Sequence, residues 1–264
     1  MPMLTIAAQV GWIAIGAGAL MLALWLWQQR SRDAGLVDAG WAFGIGAGAL
    51  AAGLTGSGDP WTRVIVAAMG ALWGWRLAWH LLRDRVIGRS EDGRYQRMRA
   101  ALGRHAGIGF LAFFLFQAGL VVLFALPFVL LAADTRPPGW HTAVAGTIWL
   151  LAVAGESLAD RQLARWRADP GNRGRTCRHG LWAWSRHPNY ACEWLHWWAY
   201  VVLGLGAVHG PWLWLWPALM FAFLWWVTGI PHVERRCLET RGDDYRDYQR
   251  RVPVLIPWFP RSEP

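Results

Sequence analysis

Lysine is absent: all 26 basic residues of this chain are arginine. Charge of either sign is scarce, 16% of residues against about 25% in soluble domains. Cysteine appears three times, at 177, 192 and 237, too scattered and too odd in number for a disulfide framework or a paired metal motif. A metal site from Cys177, His179 and His187 has a spacing that fits no common centre. The eight histidines form no multi-histidine box. There is no GxGxxG and no Walker loop, so a nucleotide here is not held by a Rossmann or P-loop fold. The lack of GxSxG and HExxH leaves hydrolysis without a nucleophile or a metal. The apolar runs lack two-residue alternation, which excludes a β-barrel. No basic domain stands apart from them, which argues against nucleic acid as a partner.

What is present is apolar. Hydrophobic residues make up 55% of the 264, with 22 tryptophans. A helix needs about 20 apolar residues to cross a bilayer, and seven stretches qualify: roughly 4–27, 36–54, 61–82, 108–132, 139–159, 189–208 and 211–230. The expectation is an all-α, polytopic membrane bundle forming one integral domain over 1–264. Residues 231–264 are a cytoplasmic amphipathic tail. The N-terminus carries no basic n-region before its apolar run, so no cleaved signal peptide is expected. Loops 28–35, 83–107 and 160–188 and the tail hold 23 of the 26 arginines. By the positive-inside rule they face the cytoplasm, which puts the N-terminus outside and the C-terminus inside, in a bacterial inner membrane. Membrane lipids are expected partners, since an arginine-rich loop is drawn to anionic headgroups.

Polar residues inside the spans are expensive and therefore candidates for function. Asp38 lies near the start of span two. Glu156 and Asp160 are four apart on span five, Asn189 and Glu193 four apart on span six with His196 continuing that face, and Arg76 and His80 four apart on span three. His232 and Arg235 follow span seven. Their grouping at the cytoplasmic ends predicts one polar cavity open to that side. "RDRVIGRSEDGRYQRMR" (83–99) can clamp phosphate or merely face anionic lipid. Pro188 opens a helix where a missing N–H costs nothing. Ser185, Arg186 and His187 then sit at a helix N-terminus, a natural anion site. The tail with Tyr245 and Tyr248 reads as an interfacial anchor or a flap over the cavity.

"GLWAWSRHPNY" followed by Glu193, "GESLADRQ" (155–162) and "LVDAGW" (36–41) together resemble bacterial membrane proteins grouped with the steroid 5α-reductases. The likeness covers nearly the whole chain. It implies seven helices, NADPH bound from the cytoplasm and hydride transfer to the C=C bond of a lipophilic enone entering from the bilayer. It implies a cofactor shell of Arg83, Arg94, Glu156, Asp160, Arg167, Arg186, His187, Asn189, Tyr190, Glu193, Glu234, Arg235 and Tyr245, with no metal. The chain departs where the reductases carry Gln–Glu on span two, here Val37–Asp38, and Tyr on span three, here His80. Asp38 and His80 would then be the groups that polarise the substrate carbonyl. As the alternative, "RHPNY" (186–190) and "YRDYQRRVP" (245–253) are also similar to isoprenylcysteine carboxyl methyltransferases and their phospholipid-methylating relatives, while "GESLADRQ", "LVDAGW" and the extra N-terminal spans favour the reductases. The methyltransferase resemblance implies S-adenosylmethionine in the same region, although those enzymes tend to carry glycine where this chain has Cys192. Substrate and oligomeric state are not legible.

Overall fold

The computed structural model describes residues 3–227 and 229–259, and every described regular element is a helix. Six helices among them are long and apolar enough to cross a membrane. The chain is an integral membrane helix bundle. It divides into two compact units, Met1–Pro138 with Ala207–His209, and Gly139–Gly206 with Gly210–Pro264.

In the first unit, α1 (Ile6–Ser31) is capped by Thr5, whose hydroxyl accepts from the Ala8 N–H. It ends at Arg32, which takes a left-handed turn at φ 56°. Helix α2 (Leu36–Thr55) is rich in Gly and Ala, and α3 (Pro60–Leu81) starts with Pro60 behind an Asp59 cap. Small residues let these two helices touch backbone to backbone. A Cβ on Gly74 would lie 2.8 Å from both the Ala42 carbonyl and the Gly46 nitrogen. Helix α3 runs into a π-helical turn, Leu82–Val86. The loop expected after it folds further, into α4 (Gly93–Leu102), capped by Asp92. Helix α5 (Ala106–Ala132) closes the unit, burying Phe110, Phe114, Phe124 and Phe128. Outward-facing Trp12, Ile15, Leu26 and Trp27 on α1 are exposed, as suits a lipid-facing surface.

In the second unit, α6 (Trp140–Ala168) packs along α7 (Pro188–Leu203). Pro188 occupies the first turn of α7, as its lack of an N–H requires. The sixth expected span is corrected: α7 has 16 residues and stops at Leu203, not 208. At about 1.5 Å per residue it covers about 24 Å, short of a bilayer core of about 30 Å. The seventh is among the six, within a helical run of Gly210–Arg241, and only its interior differs from a continuous α-helix. It is a 3-10 turn (Gly210–Trp214), a short α8 (Leu215–Ala222) and a π-helical turn (Phe223–Val227). The expected tail becomes α9 (Ile230–Arg241) and α10 (Asp243–Arg251), broken at Gly242 with φ 55°. Residues 260–264 of that tail lie outside the described residues.

Candidate functional site

The sequence-predicted residues fall into both units. In the first, Asp38 sits in the opening turn of α2. Its Oδ2 accepts from Arg94 Nη2 at 2.9 Å and its Oδ1 from the Tyr95 hydroxyl at 2.7 Å. Arg85 Nη1 stands 3.6 Å away. Arg94 is also held by Asp92 through Nε and Nη2, both at 3.3 Å. Burial opposes ionisation of Asp92, yet the Arg94 N–H and guanidinium hold its carboxyl below the ordinary range. A neighbouring bridge joins Arg99 to Glu91 at 2.8 Å. Glu91 in turn accepts from the Ala34 N–H at 2.9 Å. Both Asp38 oxygens thus serve as acceptors within the fold. His80 lies 3.9 Å from Asp84, one helical turn on. Arg83 is exposed.

In the second unit, three expected residues meet on the carboxylate of a fourth, Glu234. Arg186 Nε reaches Glu234 Oε1 at 2.7 Å, His187 Nε2 reaches it at 3.2 Å and the Tyr245 hydroxyl at 3.4 Å. Gln249 Nε2 donates to Oε2 at 2.8 Å. Arg186 Nη1 donates to the carbonyls of Gln249 and Val252 at 2.8 and 3.0 Å. Burial, then the charge of Glu234, pushes the Tyr245 hydroxyl well above its ordinary range, so it stays a donor. This knot ties "RHPNY" to the C-terminal helices. Tyr248 strengthens it by donating to the Trp182 and Ser185 carbonyls at 2.5 and 3.1 Å. The chain then runs back beside the motif. The Arg186 N–H meets the Pro253 carbonyl at 2.9 Å, and the Ser185 hydroxyl meets Leu255 at 2.7 Å.

The rest of the α6–α7 face is polar and mostly buried. Asn189 Nδ2 donates to Asp160 Oδ1 at 3.2 Å. The Trp197 ring donates to Glu193 Oε1 at 3.2 Å, and Tyr200 pairs with His196 at 2.9 Å. Glu156, Glu193 and His196 are buried. Tyr190 stacks on His187, centroids 5.4 Å apart and planes 12° apart. Arg167 and Arg235 are exposed. The segment before α7 is fixed by Gly180, at φ 61°, where a Cβ would strike the Gln162 amide that receives the Leu181 N–H. Burial raises the Cys177 thiol, which keeps it protonated and a poor nucleophile.

Reading the sequence missed Tyr95, Asp92 and Gln249. Gln249 was findable, four residues after Tyr245 on one face of α10. Tyr95 was not, because it sat in what read as an arginine-rich loop.

Comparison with known proteins adds two findings. A methanethiol S-methyltransferase of Mycobacterium tuberculosis (strain ATCC 25618 / H37Rv) is 30% identical over 144 residues, 53% of this chain. The chain spans about half the length of that curated relative. No solved structure matches. A family model described as a protein of unknown function, DUF1295, matches residues 24–252. With nearly the whole helical bundle inside that match, the chain belongs to the DUF1295 family.

Proposed function

We propose that this chain is a membrane methyltransferase that takes S-adenosylmethionine at the N-terminal end of α7 and methylates a small or lipophilic acceptor at a soft nucleophile such as a thiol. The observation that carries this reading is how charge is spent. Arg94 is held by Asp38 and Asp92, and Arg186 by Glu234 and two carbonyls. Guanidiniums so engaged are poor clamps for the phosphates of a dinucleotide, whose binding requires unneutralised donors. The α6–α7 face instead presents Glu156, Asp160, Asn189 and Glu193. Carboxylates and amides suit a ligand that carries an ammonium, a sulfonium and ribose hydroxyls. The likeness to a methyltransferase points the same way.

When bound, S-adenosylmethionine supplies an electrophilic methyl group on a positively charged sulfur. Asp160 and Asn189, linked at 3.2 Å, would read the ribose or ammonium. Glu193, fixed by the Trp197 ring, would face positive charge where a low local dielectric strengthens the attraction. The stacked His187–Tyr190 pair offers an aromatic face for the base.

The rival is NADPH-dependent reduction of an enone, with Asp38 and His80 at the carbonyl. It is supported by the Asp38–Tyr95 hydroxyl pair, the kind of acid–hydroxyl contact that can orient a carbonyl. The test is thermal unfolding of the purified protein with each ligand at millimolar concentration, where micromolar affinity stabilises measurably. S-adenosylmethionine should raise Tm, and Asp160→Asn should remove that rise while leaving the ligand-free Tm within a few degrees. Labelled methyl should then pass to a thiol panel. A rise with NADPH and none with S-adenosylmethionine would overturn the proposal in favour of reduction.

A further inference from the structure

After α10 the chain lies back along residues 184–186. The Arg186 N–H donates to the Pro253 carbonyl at 2.9 Å, the Ser185 hydroxyl to the Leu255 carbonyl at 2.7 Å and the Trp258 N–H to the Trp184 carbonyl at 3.0 Å. With the segment so fixed, Val252 and Leu255 are buried, while Ile256, Trp258 and Phe259 are 63%, 68% and 67% exposed. Trp184 is also exposed, and it meets the Phe259 ring edge-on at 5.1 Å; Phe259 in turn meets Trp258 at 6.2 Å. Three aromatic rings thus form one contiguous exposed patch, with Ile256 two residues away. Such a patch marks an interaction surface, whereas single exposed apolar residues do not. Tyr245 and Tyr248, which the sequence offered as an interfacial anchor, are buried and do not face outward.

The level of the patch is set by α6. The Trp182 ring N–H donates to the Ala159 carbonyl at 2.9 Å and the Leu181 N–H to the Gln162 side chain at 3.0 Å. Helix α6 is long and apolar enough to cross a membrane. Its apolar run stops at Ala159, where Asp160 and Arg161 follow. Residues 181–184 therefore stand beside the point where α6 passes from hydrocarbon to water.

We propose that Trp184, Ile256, Trp258 and Phe259 enter the headgroup–acyl boundary of the bilayer and bring the C-terminal segment back to the membrane surface. Two observations select that occupant. The rings lie at the level where α6 leaves the hydrocarbon. Their chemistry is that of the boundary, where large aromatic side chains are favoured because one part is apolar and another tolerates water. Charge does not select a headgroup here. Arg250 and Arg251 stand against Asp247 at 3.6 and 2.9 Å, so the nearest cations are already matched. A second copy of the chain would cover the same apolar rings and leave their level without a reason. The anchor has a structural consequence, because the segment it holds is the one bonded to Ser185 and Arg186, and so it braces the knot on Glu234. The patch lies within the second unit and stands whichever cofactor the site takes.

The test is photocrosslinking of the full chain in liposomes of phosphatidylethanolamine and phosphatidylglycerol, read by mass spectrometry. One residue at a time is replaced by a photoreactive aromatic: Phe259→p-benzoylphenylalanine, Ile256→p-benzoylphenylalanine and, as the control, Asp243→p-benzoylphenylalanine. Asp243 is 94% exposed and opens α10, about 12 Å along the helix from Arg251. All three positions are exposed, and the probe at Ile256 leaves the Trp184–Phe259 contact intact, so none of them threatens the fold. The expected result is a phospholipid adduct at 256 and 259, both lipids captured in proportion to their abundance, and loss of the adduct at 243. A chain-to-chain product at 256 or 259 in place of lipid would overturn the proposal in favour of an interface between copies. Absence of any adduct there would mean a face turned to water, and would overturn it as well. Equal lipid capture at all three positions would show that the patch has no special depth, with the same consequence.

Discussion

Glu234 collects donors from Arg186, His187, Tyr245 and Gln249, all within 3.4 Å. Removing its charge leaves Arg186, whose side chain is 12% exposed, without its carboxylate. Glu234→Ala should therefore destabilise the protein by about 2–3 kcal/mol in denaturant titration, since breaking one half of a largely buried pair costs far more than the pair contributes. Arg178 makes a comparable count of contacts, with Asp247 at 2.8 Å and Asp244 at 3.1 Å, but its side chain is 36% exposed. Arg178→Ala should cost less than about 1 kcal/mol. The Asp247 carboxyl is held below its ordinary value of 3.8 by hydrogen bonds from Arg178 and Arg251. A depressed folded value contributes stability above the unfolded one, and that contribution disappears as pH falls through the folded value. Tm should thus be insensitive to this group from pH 7 to 5 and drop in more acid solution. Asp247→Asn should flatten that acid limb, and an unchanged limb would show that the pair does not matter. Glu156 with Asp160, and Asn189 with Glu193, were legible as pairs because a four-residue spacing shares a helix face. That Arg186 and His187 share Glu234 was not, because 47 residues separate the partners and no local periodicity spans that distance.

At the scale of elements, two close approaches decide stability. Gly74 meets backbone atoms of α2, which cannot rotate away as a side chain would. Gly74→Val should cost about 2–3 kcal/mol or prevent assembly of the α2–α3 pair, measured as loss of Tm in detergent. Helix α10 is locked by Tyr248, whose hydroxyl serves two buried carbonyls. Tyr248→Phe leaves those acceptors unpaired and should cost about 1–3 kcal/mol. The long spans were readable because lipid demands uninterrupted apolar sequence. The helix inside the 83–107 loop was hidden by its charge, and the break at Gly242 by the amphipathic pattern that continues across it. The short α7 was overextended because residues 204–208 stay apolar after the helix has ended.

At the scale of the molecule, α7 governs topology. Seven crossings place the termini on opposite sides, and six would place them together. The clustering of 23 arginines predicts that α7 crosses despite its 16 residues, with the bilayer thinning locally. A C-terminal green fluorescent protein should then fluoresce in cells, and an N-terminal alkaline phosphatase should be active outside. Both reporters on one side would mean that α7 does not cross. The sequence by itself determined that this is a membrane bundle and which polar residues share a helix face. Those properties follow from the bilayer's length requirement and from 3.6 residues per turn, which act locally along the chain. Only the tertiary structure decided what each arginine is used for. A guanidinium that could clamp phosphate and one spent on a carboxylate 48 positions away look identical in sequence, because pairing depends on which helices meet.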